Sequence, residues 1–319
     1  MKALAETRIR DLPLGELKDL LATGRLTIHY GAAVVKLHGA LPGMTQALHQ
    51  VYGTYRFHPN GHPFHDYHVQ LKRGRGVRAF IRPQARFLID GLQPFEPFPA
   101  ANALPLFEWG VNWCFGQRAN QFVVLHSGTL ARGDAAVILA APPGSGKSTL
   151  AAAMMLRGFR LLSDEFGVLA PETGVLHPML KPIALKNESV PLIRALSTTA
   201  VIGPLYRGTR KGDVAHLAPD EASVDAVDRP ARPRLVIFPS FQAGSRLGCH
   251  RLSGEAAFAN LAFNSFNYPL LGPTGFEAVA NVIDACPAYK LRYSDLDQAI
   301  DHIGELLDEA EASGISKGK

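Results

Sequence analysis

Short apolar runs punctuated by glycine and proline fill the first third of the chain, and longer, more continuous ones begin after residue 120. Residues 14–21 carry leucines at helical spacing, whereas 25–30 and 32–37 read as strands. Residues 67–71, 77–81 and 85–89 alternate or run apolar between Gly and Pro, as antiparallel strands do. Gln93, Pro94, Pro97 and Pro99 then interrupt regular structure. Residues 103–114 read as a helix joining two modules, and 121–125 opens a new series of strands. The pattern predicts an α/β protein whose first domain, 1–118, is a β-rich α/β module and whose second occupies 119–319.

In the second module, 135–141 is an unbroken apolar run leading into a glycine-rich turn and a helix over 148–157 that stops at Gly158. Two further strands are expected, one at 160–162 with Val168 and Leu169 continuing it or its partner, and one at 235–238 closed by Pro239. A terminal helix is signalled by Ser294 and Asp297 as a capping box. Its apolar stripe, Leu296, Ile300, Ile303 and Leu307, would pack on the sheet. Residues from Ser313 onward read as frayed, and the sequence shows no internal repeat.

Composition narrows the class rather than the fold. Hydrophobic residues make up 47% and charged residues 19%, a folded globular balance far from disorder. The formal net charge is +5, but Lys and Arg are scattered. Their densest cluster, Lys72, Arg73, Arg75 and Arg78, sits between strand-like segments as a hairpin turn would, so nucleic acid is not an expected partner. Cys114, Cys249 and Cys286 have neither disulfide nor metal spacing, which fits a cytoplasmic protein. No run approaches the ~18 apolar residues of a membrane span, and residues 1–10 lack the apolar core of a signal peptide. His58, His62, His65 and His68 are close enough to suggest zinc, but their spacing belongs to a helix face that Pro59, Gly61 and Pro63 would break. Trp109 and Trp113 read as packing between the modules.

The turn after residue 140 reads Ala141, Pro142, Pro143, Gly144, Ser145, Gly146, Lys147, Ser148, between a strand and a helix. That context and spacing are those of a phosphate loop. Closely spaced glycines let successive N–H groups converge on anionic oxygens, and the helix N-terminus adds its positive dipole end. Lys147 supplies a point charge, and the Ser148 hydroxyl is placed to reach a Mg²⁺ that bridges the outer phosphates. Pro143, Gly144, Ser145, Gly146, Lys147, Ser148 and Thr149 are therefore the expected contacts of ATP with Mg²⁺. Asp164 and Glu165 end the apolar run that follows the helix. One carboxylate there can accept a proton from an attacking hydroxyl while the other holds Mg²⁺ directly or through water. His126 ends the strand one hairpin before the loop, and antiparallel pairing would bring it near the phosphates.

His126 stands 21 residues before Lys147, and Asp164 stands 17 after it. In this order and spacing the chain resembles the HPr kinase/phosphorylase superfamily, most closely its HPr-kinase-related branch. The resemblance covers roughly residues 123–168. It implies a P-loop kinase domain with a mixed sheet like that of HPr kinase and phosphoenolpyruvate carboxykinase. It also implies that Asp164 is the general base, that His126 supports it, and that Glu165 occupies the second acid position as a metal ligand beside Ser148. The sequence departs from the family's pattern in having Glu165 where Asp is usual and Thr149 where Glu is usual. Leu185, Lys186, Asn187, Glu188 and Ser189 stand near the place of the family's downstream glutamate-arginine-glycine signature without matching it.

Lys186, Arg207, Arg210 and Lys211 are candidate cations for charge developing in a transition state, the last three in a polar segment that reads as a loop. The expected function is transfer of the γ-phosphoryl group of ATP to a serine-type hydroxyl. The resemblance implies a small protein or peptide acceptor and suggests a homo-oligomer. A metabolite kinase, or a nucleotide-binding regulator that transfers nothing, are the alternatives.

Overall fold

The computed structural model describes residues 7–59, 61–76 and 80–316. The chain is a mixed α/β protein that folds as two compact units. Unit 1 comprises Met1–Arg118 and Lys181–Asp225, and unit 2 comprises Ala119–Leu180 and Ala226–Lys319. Residues 119–319, expected as one continuous module, are therefore interrupted.

Along the chain, the first part of unit 1 contains α1 (Leu14–Thr23), β1 (Leu26–His29), β2 (Val34–His38) and α2 (Met44–Val51). β3 (Tyr67–Arg73), β4 (Gln84–Ile89), β5 (Phe98–Pro99) and α3 (Ala103–Arg118) follow. The five strands form one sheet in sequence order. All neighbours are antiparallel except β2 and β3, whose parallel pairing is what the intervening helix α2 permits. The strand expected at 77–81 is not seen: Phe80 and Ile81 lie in an exposed turn, and 77–79 fall outside the described residues. Arg82, next after Ile81, takes positive φ. Trp109 and Trp113, expected to pack between the modules, pack on Phe95 of their own unit, with ring centroids 4.3 and 5.2 Å away.

Unit 2 opens with β6 (Val123–Arg132), β7 (Ala135–Ala140), α4 (Lys147–Leu156), β8 (Arg160–Ser163), β9 (Phe166–Leu169) and β10 (Leu176–His177). The chain then returns to unit 1 as β11 (Ile183–Lys186), α5 (Ser189–Leu196), β12 (Tyr206–Thr209), β13 (Gly212–Leu217) and α6 (Glu221–Asp225). Specific partners hold this segment in unit 1. The Gln50 amide donates to the Ile202 carbonyl at 3.0 Å, the Thr54 hydroxyl to that of Pro219 at 3.0 Å, and Arg8 and Arg56 reach Asp225. Within the core, Lys181 and Glu108 form an ion pair at 3.1 Å with side chains only 5% and 7% exposed. Lys181 also donates to the Glu108 carbonyl and to Asn112, while the Tyr52 hydroxyl donates to Glu108 at 2.5 Å. Each buried charge thus has several partners, the condition under which such a pair survives desolvation.

Unit 2 is completed by β14 (Arg232–Phe241), β15 (Gly248–Arg251), α7 (Gly254–Phe263), α8 (Tyr268–Leu271), α9 (Pro273–Ala285), β16 (Ala288–Tyr293) and α10 (Leu296–Ser316). Its mixed eight-stranded sheet runs β10-β9-β6-β7-β14-β16-β15, with β8 also pairing β6. β14 lies parallel to both β7 and β16, and the remaining pairs are antiparallel. Alternate residues of β6 and β7, such as Leu125, Ile138 and Ala140, pack with Val236 and with Ala257, Ala278 and Val279 of α7 and α9. Helices α4 and α10 lie over the other face. Helix α4 is buried nearly all round, with Leu150, Met154 and Met155 at 0–2% exposure, each contributing about 1.5–3 kcal/mol of apolar burial.

Two local expectations change. Pro239 does not close its strand: β14 continues to Phe241, and Pro239 pairs with Leu291. β7 ends its pairing at Ile237, so a missing N–H beyond that point on that side costs no ladder bond. Nor does Ser294 cap α10. The Asp295 carboxylate accepts the Gln298 N–H at 2.9 Å, while the Ser294 hydroxyl donates to the Ser245 carbonyl. Ile300, Ile303 and Leu307 are buried as the stripe requires, and α10 runs past Ser313 to Ser316.

Candidate functional site

Strand β6 organises the candidate residues, because it pairs on one side with β7 and on the other with β8 and β9 in succession. Ser127 lies opposite Ala140 and His126 opposite Phe166, so the end of β7, His126 and the start of β9 meet at one edge of unit 2. Between β8 and β9 the chain bends through Asp164 and Glu165. The register, continued from Thr129 opposite Ser163, sets Asp164 against Gly128. A Cβ on Gly128 would lie 3.6 Å from the Asp164 carbonyl oxygen and 3.7 Å from Cβ of Ala151, so α4 covers this part of β6 closely.

Ser163 fixes the acidic bend: its Oγ accepts the N–H groups of Glu165 at 3.3 Å and Phe166 at 3.0 Å. Asp164 is buried, 7% exposed, and Glu165 is half-buried. His126 is held through its backbone, donating its N–H to the Asn264 carbonyl at 2.6 Å, with its ring 5.3 Å from that of Phe266.

The glycine-rich loop leaves β7 at Ala141 and enters α4 at Lys147. Pro142, Pro143 and Gly144 are exposed, while Ser145, Gly146, Ser148 and Thr149 are half-buried. Gly144 and Gly146 both take φ +87°, which only glycine adopts freely. Gly146 is also hemmed in, since a Cβ there would meet the Tyr293 hydroxyl at 2.6 Å. That hydroxyl donates to the Gly146 carbonyl at 3.3 Å, and the Phe241 N–H donates to the Ser145 carbonyl at 3.0 Å. Burial holds the Tyr293 phenol well above its usual pKa, so it stays protonated as a donor. The ends of β14 and β16 thereby clamp the loop. Sequence reasoning missed both residues, because the contact between Gly146 and Tyr293 spans 147 positions with no local signal.

The first turn of α4 has neither a side-chain cap nor an acidic residue. Lys147 is 7% exposed, and its ammonium donates to the carbonyls of His126 and Ala141, both at 3.3 Å. The Ser145 hydroxyl is buried with no hydrogen-bond partner among the described residues. No family model matches this chain, and no curated protein does either.

His126, Lys147, Ser148, Asp164 and Glu165 all belong to unit 2, whereas Lys186, Arg207, Arg210 and Lys211 belong to unit 1. Arg210 sits over the Phe98 ring, 5.4 Å from its centroid. Among the described residues no group of three or more His, Cys, Asp or Glu side chains is arranged to hold a metal, and no helix is long and apolar enough to cross a membrane. His58, His62 and His65 lie in irregular chain, and His68 is on β3.

Proposed function

We propose that unit 2 is a phosphotransferase of the HPr-kinase type, which binds Mg·ATP on the loop from Pro143 to Thr149 and passes the γ-phosphoryl group to a serine-type hydroxyl. The observation that carries this reading is the buried Lys147 ammonium at the uncapped start of α4, bonded to the carbonyl of His126, which pairs with Phe166 just after the Asp164 bend. A buried cation, a helix start without a side-chain cap and the unpartnered Ser145 hydroxyl together favour a polyanionic ligand. The donor set also suits Mg²⁺: Ser148 and Glu165 are hard oxygen ligands, and this ion keeps most of its shell as water and phosphate oxygen rather than requiring a protein cage.

Bound Mg·ATP supplies the electrophilic phosphorus. The chain's own groups orient and neutralise: loop N–H groups hold the β- and γ-phosphates, and Lys147 offsets their charge. Asp164 accepts the proton of the attacking hydroxyl, with His126 as its positioning residue. The acceptor is a small protein or peptide, a proposal that follows the resemblance in residues 123–168.

Mass spectrometry of small proteins incubated with Mg·ATP and the wild-type chain should reveal a new phosphoserine that the Asp164→Asn variant fails to produce. That variant should keep ATP affinity within a few-fold while transfer slows about 100-fold or more. Lys147→Ala should instead weaken nucleotide binding itself. Unchanged ATP affinity in Lys147→Ala would refute the loop assignment, and undiminished transfer by Asp164→Asn would remove the base.

A further inference from the structure

Unit 1 contains a cleft of about 740 Å³. Its walls are largely apolar, among them Met44 at the start of α2, Pro99 of β5 and Leu104 at the start of α3. Its polar lining residues are Arg82, which is exposed, and Gln84 and Tyr206, which are half-buried, and no acidic residue lines it. Among the described residues none of the three has a hydrogen-bond or ion-pair partner for its side chain. Burial, reinforced by the charge of Glu108, pushes the Tyr206 phenol up to about 12, so it remains a donor at any ordinary pH. The first turn of α2, which has no side-chain cap and no acid, adds positive potential on the same side.

Apolar walls with a cation and further donors define a ligand by elimination. A neutral hydrocarbon would leave the donors unused, and a cation would meet the Arg82 charge with no carboxylate to offset it. A polypeptide strand would find no edge to extend, since β5 is two residues long and one of them is proline. We propose that this cleft binds a small organic acid: a carboxylate, held by Arg82 with Gln84 and Tyr206, on a hydrophobic body of roughly ten to twenty non-hydrogen atoms, the size such a volume accommodates. The site lies within unit 1 and does not depend on phosphoryl transfer in unit 2.

Titration calorimetry on the full chain tests this, with 4-phenylbutyrate as the probe and 4-phenylbutanol as its uncharged twin. The acid should bind saturably at one site, at least about tenfold more tightly than the alcohol. Arg82→Gln should weaken the acid about tenfold and leave the alcohol unchanged. Ala101→Trp, which fills the cleft from an exposed position on its rim, should abolish both. The proposal is overturned if acid and alcohol bind alike, if no saturable heat is seen, or if Ala101→Trp binds as well as wild type. The last outcome would send the probe to another apolar surface, such as the face bearing the 91% exposed Phe263.

Discussion

Replacing Gly146 by alanine tests whether the loop is shaped by its clamp or merely by its glycines. Gly144 and Gly146 share φ +87°, so a side chain at either costs about 1–2 kcal/mol of backbone strain. Only Gly146 has a neighbour in the way. Its Cβ would stand 2.6 Å from the Tyr293 hydroxyl and 3.0 Å from Cβ of Phe241, whereas nothing lies within 4 Å at Gly144. Tyr293 is 1% exposed and cannot retreat, so the loop must move and forfeit the hydroxyl's bond to the Gly146 carbonyl, worth about 1 kcal/mol. Gly146→Ala should therefore lose about 2–4 kcal/mol of Mg·ATP affinity, a factor of roughly 30–1000, against about tenfold for Gly144→Ala. Calorimetric titration measures both. Adding Tyr293→Phe to Gly146→Ala should restore part of the loss by removing the obstructing oxygen. Equal losses at the two glycines, or no recovery in the double variant, would show that the strand ends do not shape the loop.

Two further expectations concern unit 1. Lys181→Met strands the Glu108 carboxylate in the core and should cost about 3–5 kcal/mol, most of it recovered by adding Glu108→Gln. Trp109 and Trp113, the chain's only two tryptophans, report this in urea titrations as a fluorescence midpoint lowered by about 1–3 M in the single variant. Burial pushes His216 down to about 4, so the folded state holds it neutral while the unfolded chain protonates near 6.5. Its contribution is fully present above pH 6.5 and declines as pH falls toward 4, by about 3 kcal/mol in all. Midpoints measured from pH 7.5 to 4 should fall less steeply in His216→Gln, and parallel curves would exclude His216 as the source.

The residues that carry the candidate chemistry were legible because each sits in a short local signature. An apolar run, two glycines and Lys147 specify strand, turn and helix between Ala135 and Leu156, and the pairing of β6 then brings His126 and the Asp164 bend together. What escaped the sequence are contacts whose members are individually unremarkable. Lys181 reads as an ordinary surface lysine until Glu108 is seen beside it, so the transfer of β11–β13 to unit 1 had no local sign. Ser294 and Asp297 fit a capping pattern as well as Asp295 does. Ser294 is drawn away by the Ser245 carbonyl, a tertiary preference that periodicity does not encode. Pro239 looked terminal because a missing N–H ends most strands, yet it stands beyond the pairing of β7, where its absence is harmless.

The interleaving of the two units has a consequence for the growing chain. Glu108 is synthesised 73 residues before Lys181, which at the usual ribosomal rate is a delay of about 4–15 s. During that interval the carboxylate that will lie in the core has no cation and must remain hydrated, so unit 1 cannot close until Lys181–Asp225 has emerged. By then the ribosome has already delivered the loop and α4 of unit 2, which still lack β14 and β16 to clamp them. The order of completion is thus unit 1 before unit 2. A cut after Arg118 divides unit 1, parting Met1–Arg118 from Lys181–Asp225, while both parts of unit 2 stay on one fragment, interrupted by that stranded segment.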